Sequence, residues 1–272
     1  MNKKMRNLVV RTISGAVYVA LMVLSVYFEW TAILLSIFFA VVGIHEFLSL
    51  AEVKNEGIKK RMPYLSVAAM LLMSVFQLSA LDNIRFPYFY LISIFMLAVF
   101  LPELIDRHEN SLERVALSAF SQLWIVLPLS VLFLLWIPMN PVQVLAFFII
   151  IWASDTFAYL GGSLFGKHKL AEEISPGKTW EGFAISCVFT VALAVGMSFI
   201  PYFDKAGLSR WDWVEFACIV EVFGLCGDLM ESLFKRRAGV KDSGNIIPGH
   251  GGILDRLDSI LFAAIPLYFF CL

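Results

Sequence analysis

Hydrophobic residues along this chain come in long blocks separated by short polar stretches. The blocks fall at roughly 8–28, 31–51, 62–81, 86–105, 117–137, 141–163, 180–203, 212–234 and 252–271. Each approaches the ~20 residues that a helix needs to cross a bilayer. A backbone in hydrocarbon must satisfy its own hydrogen bonds, so the blocks predict helices. The fold expected is all-α, a polytopic integral membrane protein of about nine transmembrane helices. Ser111–Ser121, ahead of the fifth block, is expected to lie along the membrane interface.

The polar stretches alternate in charge. Lys3, Lys4 and Arg6 precede the first block; Lys54, Lys59, Lys60 and Arg61 follow the second; Arg107 and Arg114 follow the fourth. Lys167, Lys169 and Lys178 follow the sixth, and Lys235, Arg236, Arg237 and Lys241 the eighth, whereas the intervening loops hold only Arg85, Lys205 and Arg210. Cations collect on the cytoplasmic side. The N-terminus and the rich loops are therefore expected in the cytoplasm, beneath the inner membrane, and an odd helix count puts the C-terminus outside. Trp30, Trp136, Trp211 and Trp213 fall near outer ends, where interfacial aromatics belong.

No internal repeat or low-complexity tract is visible. Residues 1–140 read as a helical scaffold, open to roles in lipid access or dimer contacts. Residues 141–272 carry the chemistry and the two longest loops, 163–179 and 235–251.

Composition agrees with the membrane reading. The 272 residues are 60% hydrophobic and 16% charged, with mean hydropathy +0.80, where soluble domains average about half apolar and a quarter charged. A net charge of −1 points to no nucleic-acid partner. Cys187, Cys218, Cys226 and Cys271 lie in apolar segments without a CxxC pair, and read as small core residues rather than disulfides or a zinc site. No small-residue cleavage site follows the first block, so it is expected to be retained.

Ionisable groups inside spans cost about 2.5–3.5 kcal/mol each near the bilayer centre, which makes them functional candidates. Helix eight carries Glu221, Gly224, Asp228 and Glu231 on one face. Gly224 and Gly227 invite close approach of another helix. Helix nine carries Asp255 and Asp258 one turn apart with Arg256 between them. Helix six carries Asp155 above the small residues Ala158, Gly161 and Gly162. Clustered carboxylates in low dielectric must protonate, pair with a cation or hold a metal. Hard oxygen ligands suit Mg²⁺, which takes one or two carboxylates plus substrate phosphates. Asp228 and Asp255 are the leading ligands, with Asp155 a third; pairing to Arg256 or a loop lysine is the competing structural role. Glu221 is deeper and reads equally as structural. Glu46, beside His45, reads as interfacial, and Arg11 as snorkelling to headgroups.

Two loops suggest phosphate. Gly177-Lys178-Thr179 imitates the end of a P-loop, but position 172 is Glu and no strand precedes it, so the P-loop is rejected. What remains is Ser175, a Pro-Gly turn, Lys178 and Thr179 ahead of helix seven, either a phosphate site or a capped helix with solvated lysines. Gly249-His250-Gly251-Gly252 opens helix nine, where backbone N–H groups can face an anion. Lys235, Arg236, Arg237 and Lys241, with Asp242, flank it, either for substrate or for anionic lipid.

At these positions the sequence resembles the phosphatidate cytidylyltransferase (CDP-diacylglycerol synthase) family. Its signature is read here as Ser232-x-x-Lys235-Arg236, Lys241-Asp242 and Pro248-x-His250-Gly251-Gly252-x-x-Asp255-Arg256-x-Asp258. Asp155-Thr156 with Ala158-Tyr159, and Ser175-Pro176-x-Lys178-Thr179-x-Glu181-Gly182, are similar to two further blocks of the family. The likeness covers about 155–259 closely. It implies CTP and phosphatidate as substrates, CDP-diacylglycerol and pyrophosphate as products, Mg²⁺ as cofactor, a cytoplasmic-facing site and a homodimer. A second cation, divalent or monovalent, is left open.

Under that reading the lipid phosphate is itself the nucleophile, and the protein aligns it with the CTP α-phosphorus and neutralises charge. Asp228, Asp255, Lys178, Lys241 and Arg256 are the expected catalytic residues. Ser175, Thr179, Lys235, Arg236, Asp242, His250, Gly251 and Gly252 are the expected substrate contacts. A CTP-dependent lipid-alcohol kinase, an ion-coupled transporter and a non-catalytic scaffold are the rivals.

Overall fold

A computed structural model describes residues 3–51, 97, 101, 111–137 and 140–272. The spans expected at 62–81 and 86–105, and the cations Lys54, Lys59, Lys60, Arg61, Arg85 and Arg107, lie outside the described residues. What is described is mostly helical. Five helices among the described residues are long and apolar enough to cross a membrane.

Helices α1 (Lys3–Tyr27) and α2 (Glu29–Leu50) are separated by Phe28 alone. α3 (Ser111–Ser121) runs without a break into wide π-helical turns at Gln122–Val126 and Ser130–Trp136. Between them lies the turn Leu127–Leu129. Pro128 sits in that turn; it has no N–H to donate, and wide turns are a common way for a helix to absorb such a residue. Ser111–Ser121 is therefore the start of one continuous helix rather than a separate segment.

α4 (Pro141–Phe165) starts from Asn140, whose side chain accepts from Gln143 N, with proline at the first position. The chain then forms a hairpin of β1 (Lys169–Ala171) and β2 (Ser175–Thr179), with Lys169 opposite Thr179. The helical expectation holds for most of the described residues, and the first long loop adds a small antiparallel hairpin to it. α5 (Trp180–Met197) is capped by Thr179, and a 3₁₀ turn (Phe203–Ala206) leads on to α6. α6 (Arg210–Arg237) opens with a Ser209/Asp212 capping box. α7 (Leu254–Cys271) closes the chain. α6 and α7 are not among the five apolar helices, because charged residues interrupt them.

The core gathers α2, α3, α4, α6 and α7 around Ile44, Leu129, Phe147, Phe148, Val220 and Leu261, all buried. α1 joins it only near its C-terminal end, through Met22 and Val26, while Leu8, Ile13 and Val17 form an exposed apolar face suited to hydrocarbon. Two of the expected interfacial tryptophans are core residues instead. Trp136 and Trp213 are each 1% exposed, while Trp30 and Trp211 are open. Trp136 Nε1 donates to Gln143 Oε1 at 2.9 Å, and Gln143 donates on to Ala206 O at 2.8 Å. That satisfies the indole inside the protein. The four cysteines are free thiols as expected, but none is buried: Cys187 and Cys271 are half-buried, Cys218 and Cys226 exposed.

Candidate functional site

Small residues set the helices around the site. A Cβ at Gly182 would lie 2.7 Å from Ala158 O and 3.0 Å from Gly162 N, so α4 and α5 touch backbone to backbone. Gly227 of α6 meets Asp258 O of α7 in the same way. The small-residue faces expected on helices six and eight are thus used. They leave a cavity of about 480 Å³ between α4, the hairpin, α6 and α7. Asp155, Lys178, Asp228, Lys235, Asp255, Arg256 and Asp258 line it, together with Ser175 and Glu221.

Lys178, on β2, pairs with Asp228 Oδ2, whose other oxygen accepts from Ser232 Oγ at 3.2 Å. The Gly-Lys-Thr run lies within strand β2 rather than in a loop; β1 does precede it, against the expectation that no strand would. Asp155 feels the repulsion of Asp228 and Glu221 and the attraction of Lys178 and Arg256. Asp258 is repelled by Asp228, Glu231 and Asp155. Deeper, Glu221 is buried and lies 2.8 Å from the Ser186 hydroxyl.

Asp255 and Lys235 form a second unit. Lys235 was expected in a loop; it is the last buried residue of α6, 2.6 Å from Glu231 Oε2 and 2.7 Å from Asp255 Oδ1. Asp255 Oδ2 accepts from Ser243 N at 2.9 Å, Gly252 N at 2.8 Å and the Ser243 hydroxyl at 3.1 Å. Gly251, at φ 94°, brings the backbone close to Asp255 Oδ2 in a conformation that favours glycine.

The N-terminus of α7 differs from expectation. Its orphan N–H groups do not face open space. Ile253 N and Leu254 N donate to Glu46 at 3.0 and 2.9 Å, and Asp255 N donates to Ser243 Oγ at 3.3 Å. The anion at this helix end is a carboxylate of the protein itself. Glu46 is accordingly 3% exposed, not interfacial. Gly252 packs against it, since a Cβ there would meet Glu46 Oε2 at 2.5 Å.

The remaining expected contacts scatter more widely. Thr179 is buried as the cap of α5. Arg236 is exposed and ties α6 to the hairpin through Ile174 O at 3.1 Å. Lys241 and Asp242 are exposed on the loop and line neither cavity described here. His250 lies 2.9 Å from Ser14 Oγ of α1. Burial, then the Arg256 and Arg11 cations, hold its imidazole below the ordinary value. Arg11, expected to reach for headgroups, is exposed and lies along Gly249.

Three contributors from the N-terminal helices were not foreseen: Glu46, Ser14 and Tyr18. Tyr18 donates to Arg256 O at 3.0 Å. It also lines a second cavity of about 240 Å³, which shares Asp155, Asp255, Arg256 and Asp258 with the first. An ionisable residue in an apolar helix was the signal available for Glu46.

The donors suit Mg²⁺ in chemistry. Asp155, Asp228 and Asp258 are hard oxygen ligands facing one cavity, with mutual repulsion that a cation relieves. Among the described residues they are not drawn into a ready-made cluster of three. Asp228 and Asp255 face the same cavity, but Asp255 already has its oxygens engaged by protein donors.

Comparison with known proteins adds independent information. The sequence pattern of the Cytidylyltransferase family matches residues 9–272. The chain is similar to the phosphatidate cytidylyltransferase of Rickettsia bellii, 36% identical over 190 residues, 68% of this chain and 80% of that protein. The enzyme of the same name from Staphylococcus aureus strain COL is 50% identical over 122 residues, 44% of this chain and 45% of that one. That from Staphylococcus haemolyticus is 48% identical over 120 residues, with the same shares.

Proposed function

The chain belongs to the cytidylyltransferase family, and on that premise we propose that it transfers a cytidylyl group from CTP to phosphatidate, giving CDP-diacylglycerol and pyrophosphate. The observation that carries the reading is the single cavity into which α4, β2, α6 and α7 send Asp155, Lys178, Asp228, Asp255, Arg256 and Asp258. These residue types handle phosphates and their counter-cations, and they come from four separate elements.

An oxygen of the phosphatidate phosphate attacks the α-phosphorus of CTP. The bond from that phosphorus to the bridging oxygen breaks, and the electron pair leaves on pyrophosphate. The nucleophile is already anionic, so the protein needs no nucleophile–base pair of its own. Its tasks are in-line alignment and charge neutralisation. Lys178, steered by Asp228, and Arg256 contact the nucleotide phosphates and the leaving pyrophosphate. Lys235, held by Glu231 and Asp255, keeps positive charge at the cavity wall. Lys241, Arg236 and His250 supply positive and polar groups around the loop. Asp228, on releasing Lys178 or Ser232, would hold Mg²⁺ together with Asp155 or Asp258, and Asp255 would likewise join only by releasing a protein donor. When bound, the ion neutralises phosphate charge and favours the in-line geometry.

The nine apolar blocks support about nine spans, and the distribution of Lys and Arg supports placing the N-terminus and this cavity on the cytoplasmic side of the inner membrane. The family resemblance supports a homodimer. The test is to incubate purified protein with phosphatidate and CTP labelled at the α-phosphate. Label in the lipid with release of pyrophosphate is the expected outcome. Label retained in released CDP would instead mark a lipid kinase.

A further inference from the structure

Glu46 lies in α2, about two hundred residues from the signature region it touches. Its two oxygens accept from Ile253 N at 3.0 Å, Leu254 N at 2.9 Å and Ser243 Oγ at 3.0 Å. The first turn of a helix leaves its N–H groups without intrahelical partners. The residue at the N-cap of α7 is Ile253, which offers no side-chain acceptor. Glu46 does the capping from another helix. Gly244 and Gly252 have no side chain where the carboxylate sits.

Ser243 extends the contact into the site. Its hydroxyl lies 3.0 Å from Glu46 Oε2 and 3.1 Å from Asp255 Oδ2. A hydroxyl carries one proton, so it serves one carboxylate at a time and ties the two together. Asp255 in turn holds Lys235 in the cavity wall.

We propose that Glu46 is a positioning residue for the transfer: it fixes the first turn of α7 and, through Ser243, the Asp255–Lys235 pair. The proposal rests on the cytidylyltransferase reading.

The experiment uses the full chain, purified in detergent, with CTP, phosphatidate and Mg²⁺. Glu46→Gln keeps the volume but turns an amide N–H toward backbone donors. Outer partners that orient reacting groups are typically worth 10- to 100-fold. E46Q is expected to lower kcat by about that factor per folded molecule, with KM for CTP changed less than about threefold. Ser243→Ala is expected to lower kcat in the same sense, and the double variant to be no worse than E46Q alone. Glu29→Gln, exposed at the start of the same helix, is the control. If E46Q does not fold, S243A decides. Normal kcat per folded molecule in E46Q, or in S243A should E46Q not fold, overturns the proposal. So do losses that multiply in the double variant. A wild-type chain that makes no CDP-lipid would instead sink the functional reading.

Discussion

Lys235 Nζ lies 2.7 Å from Asp255 Oδ1 and 2.6 Å from Glu231 Oε2, so one cation joins α6 to α7 between two carboxylates. Glu231 is fully buried, and the lysine side chain is 11% exposed. Removing one member of a buried pair leaves its partners uncompensated, at a cost of about 3–5 kcal/mol. Lys235→Met is therefore expected to lower the thermal unfolding midpoint in detergent sharply. Lys235→Arg is expected to recover little, because a planar fork does not fit a site shaped for an ammonium. A K235M protein as stable as wild type would refute the pairing.

Asp228 combines a Lys178 ion pair with a place on the cavity wall. Asp228→Asn keeps the shape and removes the charge. Loss of one electrostatic contact to a developing transition state is worth about 10²–10³ in rate. CDP-diacylglycerol formation should fall by that factor, and the Mg²⁺ concentration needed for half-maximal rate should rise. Chelating the divalent ion should abolish turnover of the wild type, and restoring Mg²⁺ should bring it back. Wild-type Mg²⁺ dependence in D228N would remove Asp228 from the ligand set.

The carboxylates of the C-terminal half were legible because they interrupt an apolar background. Asp155, Asp228, Asp255 and Asp258 stand out in greasy helices, and each reaches the cavity. Other features depend on packing that no local window contains. Glu46 sits at the end of α2 beside His45 and reads as a headgroup contact; its burial comes from Ile253, Leu254 and Ser243. The same contact explains why the α7 N-terminus looked free for phosphate. Trp136 and Trp213 were placed by their position along the helices, but Gln143 and the Phe216 ring hold them inside. The hairpin has strands of three and five residues, too short for an alternating pattern to register.

Gly227 and Gly182 set the helix spacing that brings the carboxylates together. A methyl at Gly227 would collide with Asp258 O, and one at Gly182 with Ala158 O; neither neighbour is a flexible side chain. Overpacking of this kind typically costs about 1–3 kcal/mol. Gly227→Ala should lower both the unfolding midpoint and the rate of transfer, because Asp228 and Asp258 move with their backbones. Gly196 of α5 has nothing within 4 Å of an added methyl. Gly196→Ala should be neutral or stabilising by up to about 1 kcal/mol, from helix propensity. Equal effects at the two positions would show that close packing is not what Gly227 provides.

His250 gives the site a pH dependence of definite sign. Burial and the cations Arg256 and Arg11 lower its affinity for a proton in the folded protein, below the reference value of 6.5. The unfolded chain then binds the proton first as pH falls. Stability follows the difference in protons bound, so this group leaves folding unpenalised above about pH 6.5. As pH drops below that value toward the depressed folded pKa, stability is lost. The ring bonds Ser14 of α1 at 2.9 Å, so the change is felt where α1 meets the glycine turn. The unfolding midpoint of the wild type should fall between about pH 7.5 and about pH 5.5. The fall should be smaller in His250→Gln, which cannot titrate. An equal fall in both proteins would assign the pH dependence to other groups.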